Sequence, residues 1–183
     1  MQAFHLISRL AMLNLGNSAA PGFDEPIALL IACHDKVRRF AALSLRLDQH
    51  LQQKGLDSEA AGAASNILRY FDIAAPLHHA DEEEDLFPAL RQLDDAGLNT
   101  AMAKLEAEHE ELAALWRAVR PWLETIAQQG LPVRPVELDA FAQRYPAHAQ
   151  REEDEIYPAA TRLGAQILAQ MGERMRARRE YAV

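Results

Sequence analysis

Two stretches of this 183-residue chain decide how it is read. One is His78-His79-Ala80-Asp81-Glu82-Glu83-Glu84-Asp85-Leu86-Phe87-Pro88. The other, seventy residues on, is His148-Ala149-Gln150-Arg151-Glu152-Glu153-Asp154-Glu155-Ile156-Tyr157-Pro158. They align without a gap and share H-x-x-x-E-E-x-x-[L/I]-[F/Y]-P. A His and a Glu four apart on a helix have Cβ atoms about 5–6 Å apart on one face, so they can chelate one ion or let the Glu bridge two. The alignment also selects the register. His79 with Glu83 has the same spacing, but Ala149 stands where its counterpart would be, so the preserved pairs are His78 with Glu82 and His148 with Glu152.

Outward from these motifs the chain reads as helical throughout, without strand-type alternation. GNSAAPG (16–22), KGLD (54–57), DDAGLN (94–99) and QQGLPVRP (128–135) break it into four helices, near 25–53, 58–93, 100–128 and 136–170. Asp24 is the expected cap of the first, with Pro26 in its first turn. Asp57 or Ser58, Asn99 or Thr100, and Pro135 are the expected starts of the others. Short connections make neighbours antiparallel. The predicted fold is therefore all-α, an up-down-up-down four-helix bundle spanning 23–171, with a short N-terminal extension (1–22) and a basic C-terminal tail (172–183). Pro76, Pro88, Pro121, Pro146 and Pro158 fall inside the helices and are expected to kink or end them.

Each helix carries an apolar stripe interrupted by a histidine. The first runs Ile27, Ile31, His34, Val37, Ala41, Leu45, and the second Ile67, Phe71, Ala74, His78, Glu82, Leu86, Ala89, Leu93. The third runs Leu98, Met102, Leu105, His109, Leu112, Trp116, Val119, and the fourth Leu138, Phe141, Tyr145, His148, Glu152, Ala159, Leu163. One such histidine would be an ordinary buried imidazole, and Met102, Trp116 and Phe141 are core. Four histidines and two glutamates in one core cost several kcal/mol each if left unpaired, and so call for a cation. With about 1.5 Å of rise per residue and alternating direction, their heights agree to within about 10 Å. Imidazoles with hard carboxylates suit iron, manganese or zinc, whereas the lack of thiolates disfavours copper(I) and iron–sulfur clusters. His5 and His50 have no partner at metal-binding spacing.

Composition narrows the function classes. The formal charge is −8, with 27 acids against 19 Lys plus Arg, which disfavours nucleic acid and anionic membrane surfaces as partners. Nine of those acids lie in DEEED (81–85) and EEDE (152–155), so the excess is concentrated at the motifs. The lone Cys33 makes no internal disulfide, no apolar run is long enough to span a membrane, and the N-terminus lacks the basic start of a secretory signal. A cytoplasmic location is expected. Phe4, Leu6, Leu10 and Leu13 give residues 1–22 an apolar face suited to a lid or a homodimer contact, and GERMRARRE (172–180) reads as a solvated helix end, with docking to an acidic partner as the alternative.

The motif HHADEEEDLFPAL, its partner HAQREEDEIYP and the EHEEL around His109 resemble the hemerythrin / HHE cation-binding family over roughly residues 25–165. That resemblance implies a four-helix bundle holding two non-haem iron ions, oxo- or hydroxo-bridged. It implies His34, His78, His109 and His148 as terminal ligands and Glu82 and Glu152 as bridging carboxylates. Oxygen-carrying hemerythrins have a second His four residues on in the third helix, where this chain has Ala113, and their fourth-helix carboxylate is an Asp five after the His. A reversible oxygen carrier is thereby disfavoured. His79 is open as a fifth ligand or as a solvent-side group, and Glu83, Glu111 and Glu153 are expected outside the ligand set. A centre short of one ligand keeps a position open for oxygen, nitric oxide or peroxide. The expectation is a di-iron protein that binds, senses or handles such a ligand, with an iron-dependent oxidase or peroxidase, or an iron-homeostasis protein, as alternatives. A metal-free helical scaffold ranks last.

Overall fold

A computed structural model describes residues 21–180, and these are all-helical, with no strand among them. The expectations placed on the extension before residue 21 lie outside the described residues. Helix α1 (Pro26–Lys54) is followed by a long helical run made of α2 (Ser58–Arg69), α3 (Ala75–Asp81) and α4 (Phe87–Arg91). Then come α5 (Ala96–Ala127), α6 (Leu138–Arg151) and α7 (Ala165–Glu180). α1 packs on α2 and α6, and α5 packs on the same two, so the four long runs form a ring. Among the described residues no helix is long and apolar enough to cross a membrane.

The caps differ in part from expectation. Asp57 does cap α2, accepting from the Ala60 N–H at 2.8 Å. α1, however, starts at Pro26 behind Glu25 with no side-chain cap, so Asp24 does not serve. α5 starts four residues before Thr100, because Asp95 accepts from the Leu98 N–H at 3.2 Å and Gly97 is absorbed into the first turn. α6 starts at Leu138, after a turn through Pro135.

Proline shapes the runs by a regular device. A five-residue π turn precedes α3 (Tyr70–Ala74) and another precedes α4 (Glu82–Leu86), and a third follows α6 (Glu152–Ile156). Each begins six residues before a proline: Pro76, Pro88 and Pro158. Proline brings no N–H and its ring collides with the carbonyl four residues earlier, so the wider turn relieves the clash without ending the helix. Pro121 and Pro146, by contrast, lie inside α5 and α6.

The fourth helix does not run to 170 as expected. After Pro158 it tightens into a 3-10 segment (Tyr157–Arg162), and Leu163 turns extended just before Gly164. The basic stretch expected as a tail from 172 is instead the second half of α7, which packs against α1 and α3. Gly172 permits this approach: a Cβ there would lie 1.8 Å from the Phe23 carbonyl oxygen.

The core falls into two apolar clusters. One, around Val37, Phe40, Ile67, Phe71, Trp116, Trp122 and Phe141, fills one end. The other, around Leu30, Leu86, Phe87, Met102, Leu105, Ile156 and Met171, fills the other. In sequence, His34, His78, His109, His148, Glu82 and Glu152 fall between the positions that feed the two clusters, and all six are buried.

Candidate metal centre

The two preserved i,i+4 pairs bring their side chains together as the spacing requires. His148 Nε2 lies 3.0 Å from Glu152 Oε1, and His78 Nε2 lies 3.7 Å from Glu82 Oε1. His34 from α1 and His109 from α5 reach the same place. His34 Nε2 is 3.1 Å from Glu152 Oε2, and His109 Nε2 is 3.3 Å from Glu152 Oε1 and 3.7 Å from Glu82 Oε2. Both carboxylates therefore span the centre. Each turns one oxygen to the His34/His78 side and the other toward His109, with His148 beside it.

Two donor groups result, each with its ligand atoms within 4.8 Å of one another: His34, His78, Glu82 and Glu152, and beside them His79, His109 and His148. His79, left open by the sequence, is half-buried and stacks on His109 with ring centroids 4.0 Å apart. All seven sequence-expected residues thus meet in one centre. A further group, His50 with Asp57 and Glu59, is a partly exposed set at the connection between α1 and α2, which the sequence reading had left unpaired.

The imidazoles are oriented from outside. Three Nδ1–H groups donate to carboxylates: His34 to Glu153 at 2.8 Å, His109 to Glu83 at 2.5 Å and His148 to Glu108 at 2.9 Å. An imidazole that gives its Nδ1 proton away presents the Nε2 lone pair inward, and the carboxylate raises its basicity. Glu153 is held in turn by Arg38, and Glu108 pairs with Arg151. Glu83 and Glu153 match the expectation for groups outside the ligand set, and Glu111 pairs with Arg144 away from the centre. Glu108 was missed, although it directly precedes His109 in EHEEL. Tyr157 was also missed as a polar group: its hydroxyl donates to Glu82 Oε1 at 2.7 Å.

Electrostatics match a place built for cations. Burial, with the His34 imidazole nearby, pushes His78 down to about 3, so it is neutral at any ordinary pH. Burial also pushes His79 well below the usual imidazole range, with His109 adding to it. Glu82 is driven well above the carboxylate range by burial and by the Glu152 charge. Burial pushes Glu152 up too, but His109, His148 and His34 gathered on its oxygens outweigh it and hold it well below.

The donor set fits a metal. His78 Nδ1, Glu82 Oε2, His148 Nε2 and Glu152 Oε2 are buried side-chain atoms without a hydrogen-bond partner, each costing about 1–3 kcal/mol. His148 Nε2 and Glu152 Oε1 are 3.0 Å apart yet not aligned as a hydrogen bond. Two ligands at right angles around an ion at about 2.1 Å stand about 3 Å apart, and the nitrogen–oxygen spacings here run from 3.0 to 3.7 Å.

Residues 25–160 match the family model described as the hemerythrin HHE cation binding domain. The chain belongs to that family. It is also similar to a protein of Haemophilus influenzae (strain ATCC 51907 / DSM 11121 / KW20 / Rd) described as an uncharacterized protein. The two are 37% identical over 159 residues, which is 86% of this chain and 92% of that one. Helix α7 lies beyond the matched family span.

The docking of α7 is the other feature that sequence reading missed. Arg178 and Arg179 both donate to Asp81, Arg179 Nη2 at 2.6 Å, and Arg178 also reaches Asp85 and Glu84 at 2.9 Å each. Arg174 pairs with Asp85. The Asp81 and Asp85 side chains are 0% and 1% exposed. Two of the five acids in DEEED (81–85), Asp81 and Asp85, are thus buried under α7.

Proposed function

We propose that this chain is a non-haem di-iron protein that binds, senses or handles oxygen, nitric oxide or peroxide. The carrying observation is that Glu82 and Glu152 each turn their two oxygens to two different groups of imidazoles, the arrangement two bridging carboxylates need. In this reading His34 and His78 hold one ion, His79, His109 and His148 hold the other, and Glu82 and Glu152 bridge them and balance charge. The antiparallel sense expected from the short connections, up-down-up-down, brings the four runs' histidines to one height.

When bound, the iron supplies an open coordination position and reversible redox chemistry. The chain does the rest. Glu153, Glu83 and Glu108 hold three imidazoles by Nδ1, and the flanking apolar clusters keep bulk water from the ring. A cation held by Glu82 and Glu152 would favour the ionised form of both carboxylates.

The test is iron content and visible spectrum of the purified protein, before and after nitric oxide or peroxide. About two irons per chain and a stoichiometric spectral change are expected, and protein that takes up no iron on reconstitution would sink the reading. Catalytic turnover of peroxide would move it to a peroxidase. In parallel, His148→Ala should lower metal affinity by about 10- to 100-fold.

A further inference from the structure

The two motif copies end on different aromatics, Phe87 and Tyr157. Their rings take equivalent places. Phe87 stacks on His109 with planes 9° apart and centroids 6.3 Å apart, and Tyr157 stacks on His34 at 10° and 5.3 Å. Both rings are buried. These two shelves differ in one polar atom, the Tyr157 hydroxyl, which donates to Glu82 Oε1 at 2.7 Å and lies 3.1 Å from His34 Nε2. Oε1 is the Glu82 oxygen nearer His78, while Oε2 faces His109 and has no hydrogen-bond partner. Among the described residues Glu152 accepts from no hydroxyl; its oxygens meet the imidazoles of His34, His109 and His148 instead.

A glutamate's last torsion is soft, so an unrestrained carboxylate can swing between bridging and turning both oxygens to one ion. A hydrogen bond to one oxygen stops that swing. It also settles which Glu82 oxygen serves the His34/His78 side and leaves the other facing His109. Phe87 can do neither on its side.

We propose that Tyr157 is a positioning residue that makes the two metal positions unequal, its phenol holding Glu82 Oε1 on the His34/His78 side. This rests on the di-iron reading above. The phenol stays protonated, and its role is to hold the carboxylate while the imidazoles and carboxylates bind the metal.

The experiment is a stepwise anaerobic titration of the full chain with Co(II), followed by its visible ligand-field bands, for the wild type and Tyr157→Phe. Tyr157→Phe keeps the ring on His34 and removes only the hydroxyl, and thermal melting of the metal-free proteins checks that the fold is kept. One of the two binding steps should weaken by about 10- to 100-fold while the other stays within about threefold. Equal weakening of both steps, or no change in either, would overturn the proposal. So would a phenolate-to-iron charge-transfer band in the ferric wild type, since Tyr157 would then be a ligand. If the wild type binds metal and the split does not change, only this inference falls. If the wild type binds no metal, the di-iron reading falls with it.

Discussion

Replacing Arg178 and Arg179 together by alanine tests whether α7 is held by charge. Asp81 sits between His78 and Glu82, 0% exposed, and it pairs with those two arginines. Burial pushes its carboxyl up, and the pull of Arg179 and Arg178 opposes that rise. Arg178→Ala alone leaves Asp81 with Arg179 and Asp85 with Arg174. The double variant strands a buried carboxylate, which costs about 3–5 kcal/mol. At about 2–4 °C per kcal/mol for a domain of this size, the melting temperature should fall by about 6–20 °C. Adding Asp81→Asn removes the stranded charge and should restore part of the loss. Arg144→Ala is the control, because Arg144 and Glu111 are about half exposed and their pair is worth at most about 1 kcal/mol. The assay is thermal and urea unfolding of the metal-free proteins. A double variant within about 1 kcal/mol of the wild type would refute the reasoning, for the buried acids would then need no partner.

Acid should weaken the metal-free fold through His78. It is neutral in the fold down to about 3 but charges below 6.5 in the unfolded chain, so unfolding takes up a proton between those values and stability drops as pH falls through them. At pH 5 that is about 2 kcal/mol relative to pH 7, readable by urea titration, and His78→Leu should flatten the slope between those two pH values. Two glycines in helices should respond oppositely to alanine. Gly172→Ala drives a methyl into the Phe23 carbonyl and should cost about 1–3 kcal/mol, whereas Gly62, with nothing within 4 Å, should gain about 0.5–1 kcal/mol. Differential scanning calorimetry separates the signs, and a neutral Gly172→Ala would mean that α7 does not sit against Phe23.

What could be read in advance follows from the range of the forces involved. His78 with Glu82 and His148 with Glu152 are local pairs on one helical face, so spacing alone brought them together. The stripe of α5 was legible for the same reason, and all seven of its members are buried. The stripe of α1 held at His34, Val37 and Ala41, which are buried, and slipped at its ends: Leu30 and Leu47 are buried, while Ile31 is 40% exposed. Asp81 and Asp85 gave no local sign of their partners, because those cations stand 89 to 98 residues away. Their spacing after His78, three and seven residues, was nonetheless that of a buried row. The prolines were read as kinks, yet the chain answers three of them with a wider turn. That difference affects the site: a row of residues four apart drifts about 40° per step on an α-helix, and the wider turn reverses the drift. His78, Glu82 and Leu86 stay on one face for that reason.

The two apolar clusters have a consequence for how the molecule opens. A layer of imidazole and carboxylate between them contributes little cohesion until something cationic neutralises it, so each cluster can loosen without the other. In metal-free protein, amide protons near Trp122 and near Met102 should exchange with separate free energies. Metal held by all four helical runs would tie them together at mid-height and should merge the two exchange classes into one. The centre is then also the point at which two half-bundles become a single cooperative unit.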